Sequence, residues 1–174
     1  MSFIVRGLVG NPRAGSKTLA ATSALVDAVT AAVGGTQAPV VDLAAFGGRV
    51  LDYSDAGVAE LRTELTTVQL LVVATPVYKG SYTGLLKAFL DGYGPGALAS
   101  VYTIPFTVAA SPQHALAGPT HLQPLLDELG AISPLGSLFL PDGVVAEPAE
   151  RDTRIAAWLT PRLPLLTAIT EVSA

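Results

Sequence analysis

The stretch Leu70-Leu71-Val72-Val73-Ala74-Thr75-Pro76-Val77-Tyr78-Lys79-Gly80-Ser81-Tyr82-Thr83-Gly84-Leu85-Leu86-Lys87-Ala88-Phe89-Leu90 decides how this chain folds. Residues 70–74 are continuously apolar, as expected of a strand buried on both faces. Residues 85–90 carry a short helical pattern. The segment between them therefore reads as the loop that leaves a strand's carboxyl end and enters a helix. In open α/β sheets, ligands bind at that edge. Pro76 has no N–H to offer a ladder. Gly80 and Gly84 allow a tight turn and a close approach. Tyr78 and Tyr82 offer flat faces with polar tips, which suit a planar ligand with polar edges. Taken alone, the loop equally reads as an ordinary βα turn with aromatic surface residues.

Working outward, the same alternation runs through the chain. Residues 3–9 read as a first strand, residues 10–16 as a loop, and Lys17 to Val33 as a helix with Ser16 as its N-cap and Gly34-Gly35 as its stop. Pro39 to Leu43 reads as a short second strand. A helix over 56–66 follows, capped by Ser54 or Asp55. Strand three covers 68–74, and its helix ends near Gly92-Tyr93-Gly94-Pro95-Gly96. Residues 102–110 read as strand four; Pro105 either counts against that strand or sits at its start. Leu122, Leu125, Leu126 and Leu129 stripe the next helix. Leu135 to Leu140 is strand five. A last helix spans about Pro148 to Ile169, kinked or broken at Pro161 and Pro164. Strand–helix alternation of this kind predicts an α/β fold: one parallel sheet with helices on both faces. Five strands suit the order 2-1-3-4-5.

Length and composition bound the rest. At 174 residues the chain is the size of one domain, and 1–174 is expected to fold as such. Half of it is hydrophobic and the mean hydropathy is +0.50, ample for a large core. No run approaches the roughly 20 apolar residues needed to span a bilayer. No signal-peptide pattern opens the chain, so a cytoplasmic location is expected. There is no cysteine, which excludes disulfides, thiolate metal sites and a cysteine nucleophile. The net charge is −4 without a basic cluster, which argues against nucleic acid as a partner. Charged residues make up only 14% of the chain, so part of the surface must be apolar, and a homo-oligomer is expected.

A second constellation lies between strand one and its helix: Gly10-Asn11-Pro12-Arg13-Ala14-Gly15-Ser16-Lys17-Thr18. A helix N-terminus presents unpaired N–H groups and a positive dipole end, and so attracts phosphate. Arg13 and Lys17 add charge; Asn11, Ser16 and Thr18 add donors. The plainer reading is a capped, glycine-bearing turn. The run misses the Walker A pattern by one residue, because Ser16 separates Gly15 from Lys17, and strand three lacks a terminal aspartate. It also lacks G-x-G-x-x-G. Strands one and three are neighbours at the switch point of a 2-1-3-4-5 sheet. One loop suits a phosphate and the other a planar ring, which is the division found in flavin mononucleotide (FMN). His114 and His121 are too few and wrongly spaced for a metal site, and no stretch fits G-x-S-x-G.

These two loops resemble those of the NADPH-dependent FMN reductases of the flavodoxin-like superfamily. Gly10-Asn11-Pro12-Arg13 with Ser16 is similar to that family's G-S-P-R-x-x-S phosphate loop. Ala74 to Lys87 is similar to its A-T-P-V-Y-K-x-x-Y-S-G-x-L-K signature. A weaker likeness follows strand four, at His114, Leu122, Pro124 and Leu125. The resemblance covers roughly residues 3–140 and implies a flavodoxin-like three-layer sandwich with a five-stranded parallel sheet. It implies that Asn11, Arg13, Ser16 and Thr18 hold the FMN phosphate with Lys17 nearby. It implies that Pro76, Val77, Tyr78, Lys79, Gly80 and Ser81 line the isoalloxazine ring, with Ser111 a further ligand contact. The implied activity is hydride transfer from the nicotinamide of NADPH or NADH to flavin N5, with no side-chain acid or base and no metal. Reduced flavin would pass to a flavin-dependent monooxygenase, and the protein would be a homodimer or homotetramer. The chain departs from the family at Ala109-Ala110, where a Gly-Gly is common. Rival readings are an FMN-bound quinone or azo reductase, a flavodoxin-like electron carrier, and a phosphate-binding module without turnover.

Overall fold

A computed structural model describes residues 3–173. Six parallel strands form one sheet: β1 (Ile4–Val9), β2 (Thr36–Gln37), β3 (Val41–Asp42), β4 (Leu70–Pro76), β5 (Tyr102–Ala109) and β6 (Leu138–Pro141). The path is β2-β1-β4-β5-β6, and β3 also pairs with β1. The predicted second strand is thus two short pieces on one edge of β1, registered at Ile4 with Thr36 and at Leu8 with Val41. Pro39 lies between the two pieces and has no N–H to continue the ladder. With the broken edge counted as one strand, the order is the expected 2-1-3-4-5.

The long strands alternate between two cores. Leu70, Val72 and Ala74 face one side with Val5, Ile104 and Phe106; Leu71 and Val73 face the other with Leu8, Leu61 and Phe89. The first side is covered by α1 (Lys17–Val33), α5 (Asp142–Ala146), α6 (Pro148–Leu159) and α7 (Leu163–Val172). The second is covered by α2 (Ala56–Leu65), α3 (Gly84–Leu90) and α4 (Gln123–Glu128). Burial on both faces explains why the strands are apolar throughout. Truncating a fully buried residue such as Leu71 to Ala removes about 2–5 kcal/mol.

Several boundaries differ from those read in the sequence. Strand β4 extends to Pro76, which pairs with Val108 as the strand's last residue. Pro105 sits within central strand β5 rather than at its start, opposite Val73. The Thr103 N–H points away from β4 to the Ile132 carbonyl at 2.8 Å. Two residues on, the donor that Pro105 lacks faces the same way, ahead of Leu138, where β6 begins beside Phe106. No ladder bond is lost there. The helix expected over 148–169 is broken, as its prolines allow, by a 3-10 turn at Thr160–Arg162 around Pro161. Helix α5 was not expected, being too short to show a period. Among the described residues, no helix is long and apolar enough to cross a membrane.

Candidate active site

The loops after β1, β4, β5 and β6 meet at the carboxyl edge of the sheet. They enclose a cleft of about 500 Å3 lined by residues from Asn11 to Thr18, by Pro76–Tyr78, by Val108–Ala110 and by Asp142. Arg13 and Tyr78, 65 positions apart in sequence, therefore face one space. The cause is the parallel register: Val9 pairs with Ala74 and Pro76 with Val108, so these three strands run out at the same edge of the sheet.

The β1–α1 loop is built around its own polar groups. Asn11 is buried; its Nδ2 donates to Thr18 Oγ1 at 3.2 Å and its Oδ1 accepts from the Arg13 N–H at 3.0 Å. Those bonds fold the loop back on the first turn of α1. Ser16 caps that helix, its Oγ accepting from the Leu19 N–H at 3.2 Å, which leaves the hydroxyl hydrogen for another acceptor. The N–H groups of Lys17 and Thr18, in the first turn, have no carbonyl behind them within the helix. The first turn of α1 holds no acidic residue. Gly15 takes the left-handed conformation, φ 64°, and donates to Asp42 Oδ2 at 3.3 Å. Arg13 is exposed, and its guanidinium has no partner among the described residues. Lys17 Nζ lies 3.0 Å from Asp142 Oδ2, at the start of α5.

The β4–α3 loop is pinned at its base and free at its tip. The Thr83 N–H donates to Thr75 Oγ1 at 3.2 Å. The Thr83 hydroxyl caps α3, accepting from the Leu86 N–H, and donates to the Gly10 carbonyl of the neighbouring loop. At the tip, Tyr78 and Ser81 exchange backbone bonds of 2.9 and 3.3 Å. Lys79 and Gly80 turn between them with φ of 53° and 86°, the backbone of a type I′ hairpin. Lys79 is the only non-glycine residue with positive φ among those described.

Of the residues singled out in the sequence, Asn11, Arg13, Ser16, Lys17, Thr18, Pro76, Val77 and Tyr78 line the cleft. Lys79 and Gly80 line an adjoining open hollow with Val77, Tyr78 and His114. Ser81 lines neither; its backbone closes the hairpin. Ser111 lines neither as well; its Oγ accepts from the Gln113 N–H at 3.3 Å and caps a 3-10 turn. Ala109 and Ala110 do reach the cleft wall. Asp142 escaped the sequence reading. The available signal was its place just beyond β6, the same edge from which the other loops come. Among the described residues, no group of His, Asp and Glu side chains is arranged to hold a metal.

The family model for NADPH-dependent FMN reductase matches residues 4–144. This chain belongs to that family. It is 33% identical over 155 residues to the FMN reductase (NADPH) of Pseudomonas aeruginosa, covering 86% of this chain and 80% of that one. It is 34% identical over 108 residues to the NADH-dependent FMN reductase SfnF of Pseudomonas fluorescens, covering 57% of this chain and 58% of that one. Among solved structures, the apo form of the NADH:FMN oxidoreductase EMOB superposes with a TM-score of 0.80 at 26% identity, covering 90% of this chain and 88% of that one. The matched span coincides with the region over which the two loop motifs carried the resemblance.

Proposed function

We propose that this member of the FMN reductase family is an NAD(P)H-dependent FMN reductase that holds its flavin in the cleft between the β1–α1 and β4–α3 loops. What carries the reading is the pairing, within one cleft, of a cationic helix entry with an aromatic hairpin. The donor set suits a phosphate monoester: Arg13, the Ser16 hydroxyl and the first-turn amides of α1. The volume is within the range of small-ligand sites. Asn11 and Thr18 serve the phosphate indirectly, by shaping the loop that presents Arg13 and Ser16. Pro76, Val77 and Tyr78 form the wall for a planar ring, and the hairpin at Lys79-Gly80 fixes where Tyr78 stands.

FMN, when bound, supplies the acceptor for the hydride of the nicotinamide. The protein's share is binding, orientation and exclusion of water. No residue of this chain is assigned as acid or base. The hollow beside Tyr78, Lys79 and His114 adjoins the cleft and gives the pyridine nucleotide a place to approach. Relatives are named for NADPH and for NADH, so both nucleotides belong in the assay. A flavin-dependent monooxygenase is the proposed recipient of the reduced flavin, in a reducing cytoplasm. A homodimer or homotetramer is proposed as well, because large apolar side chains such as Leu116, 67% exposed, and Tyr78, 44% exposed, stand on the surface.

The test is steady-state oxidation of NADPH and NADH with and without added FMN, on protein whose visible absorption has been recorded. Oxidation that depends on added FMN, with little flavin carried through purification, is the expected result. Flavin retained in stoichiometric amount, with turnover only on an added quinone or azo dye, would move the assignment to a flavin-bound reductase. Flavin without oxidation of either nucleotide would make the protein a carrier.

A further inference from the structure

Asp142 poses a chemical problem. It is a carboxylate on the wall of a cleft whose other polar groups favour an anion. A phosphate monoester carries about −1.5 to −2 charges at neutral pH, and Asp142 opposes it. The residue stands at the first position of α5, where the loop leaving β6 meets the β1–α1 loop. Its Oδ2 takes the Lys17 ammonium at 3.0 Å, and both side chains are about half exposed, 46% and 54%. A bridge so exposed adds little to folding stability. Neither Lys17 nor Asp142 has another ion-pair partner among the described residues, so Asp142 neutralises one of the two cations that line the cleft.

We propose that Asp142 is an affinity-setting residue of the flavin site. It occupies Lys17 and adds a negative charge beside the phosphate subsite, so that Arg13 and the helix entry hold FMN without Lys17's full contribution. The outcome is a flavin that binds and leaves within a catalytic cycle, as a substrate and product must. The inference rests on the assignment of this cleft to FMN. Asp142 acts on the ligand's phosphate through Lys17 and through space, and has no part in hydride transfer.

The experiment compares FMN with riboflavin, which has the same ring and no phosphate. Both are titrated into the full-length protein by flavin fluorescence at low and at high salt. In Asp142→Asn the side chain keeps its shape and loses its charge. The expected result is FMN affinity raised roughly three- to tenfold at low salt, with slower FMN dissociation. The gain should shrink at high salt, where screening shortens the reach of the charge. Riboflavin affinity should not change. Asp142→Ala should shift FMN in the same direction, which guards against an effect peculiar to the amide. Unchanged or weaker FMN binding in both variants, while the wild-type protein prefers FMN to riboflavin, would overturn the role of Asp142 and leave the flavin site standing. A wild-type protein that binds FMN no better than riboflavin would overturn the phosphate subsite, and this inference with it.

Discussion

The two walls of the cleft are made differently. The β1–α1 wall is held by its own buried amide: Asn11 bonds forward to Thr18 and to the Arg13 backbone, and only the charged ends of Arg13 and Lys17 reach out. The β4–α3 wall is held from below by Thr75 and Thr83, and its tip is an exposed two-residue hairpin. The first is rigid and polar, suited to an anion whose place must not vary. The second exposes 44% of Tyr78 on a narrow support, suited to a ring that enters and leaves. Thr83 joins the walls, because its hydroxyl reaches the Gly10 carbonyl of the other loop.

Removing the charge of the polar wall should have the largest effect. Arg13→Ala deletes a cation with no structural partner, so the fold should be untouched while FMN affinity falls about 10- to 100-fold, the usual worth of a charge-assisted contact. Riboflavin binding should hardly move. Equal loss for both flavins in a fluorescence titration would show that Arg13 shapes the cleft as a whole, and the contrast between the walls would fail.

The joint comes next. Thr83→Val keeps the shape of a residue that is 1% exposed, but strands the Gly10 carbonyl and uncaps α3. The cost should be about 1–3 kcal/mol, seen as a fall in Tm of about 2–4 °C per kcal/mol. Both flavins should bind more weakly, since both walls shift. Thermal denaturation with and without FMN separates the two effects.

The hairpin tip offers a smaller gain. Lys79 holds φ at 53°, where an L-residue with a long side chain stands at a cost of roughly 1 kcal/mol. Asn-Gly is the preferred pair for this turn. Lys79→Asn should therefore raise stability by about 0.5–1 kcal/mol and leave FMN affinity within about twofold, because the phosphate wall is elsewhere. A lower Tm would mean that the lysine side chain contributes more to the loop than its strained backbone takes away.

What the sequence disclosed follows from the range over which each signal acts. Helix α1 was legible from end to end, since its cap Ser16 and its left-handed stop Gly34 are local. The two loop motifs were legible for the same reason. The split of the edge strand was not, because each piece is two residues long and owes its existence to pairing with β1. The bond between Asn11 and Thr18 was also hidden: residue types name donors, not the acceptors they find. Lys17 and Asp142 are 125 positions apart, and only the parallel sheet, which brings the carboxyl ends of β1 and β6 to one edge, joins them. Arg62 lies on the buried stripe of α2, yet its charge argues for the surface. It is sustained by the Phe89 carbonyl at 2.9 Å and by the Phe89 and Tyr53 rings. A Cβ at Gly92 would fall 2.0 Å from the Arg62 guanidinium carbon, so any side chain there would displace the guanidinium from its place.

A helix outside the cleft supplies the control and the smallest expected effect. Helix α1 begins at a neutral serine, so the positive end of its dipole is left to a ligand. Helix α2 begins at Asp55, whose carboxylate accepts from the Val58 N–H at 3.0 Å and from Arg49 at 2.7 and 2.9 Å. The hydrogen bond from Arg49 is the main reason its pKa is lowered from 3.8 to about 2. A folded-state value below the unfolded one means stability that is present above pH 4 and lost as pH falls from about 4 to about 2. Asp55→Asn should therefore lower Tm slightly at neutral pH, flatten that part of the acid limb, and leave FMN affinity unchanged at every pH above 4. A helix start already occupied by its own carboxylate has nothing to offer a phosphate. Were FMN binding to tighten in Asp55→Asn, the molecule's hold on an anion would follow its overall charge rather than the helix entry of α1, whose first turn holds no acid.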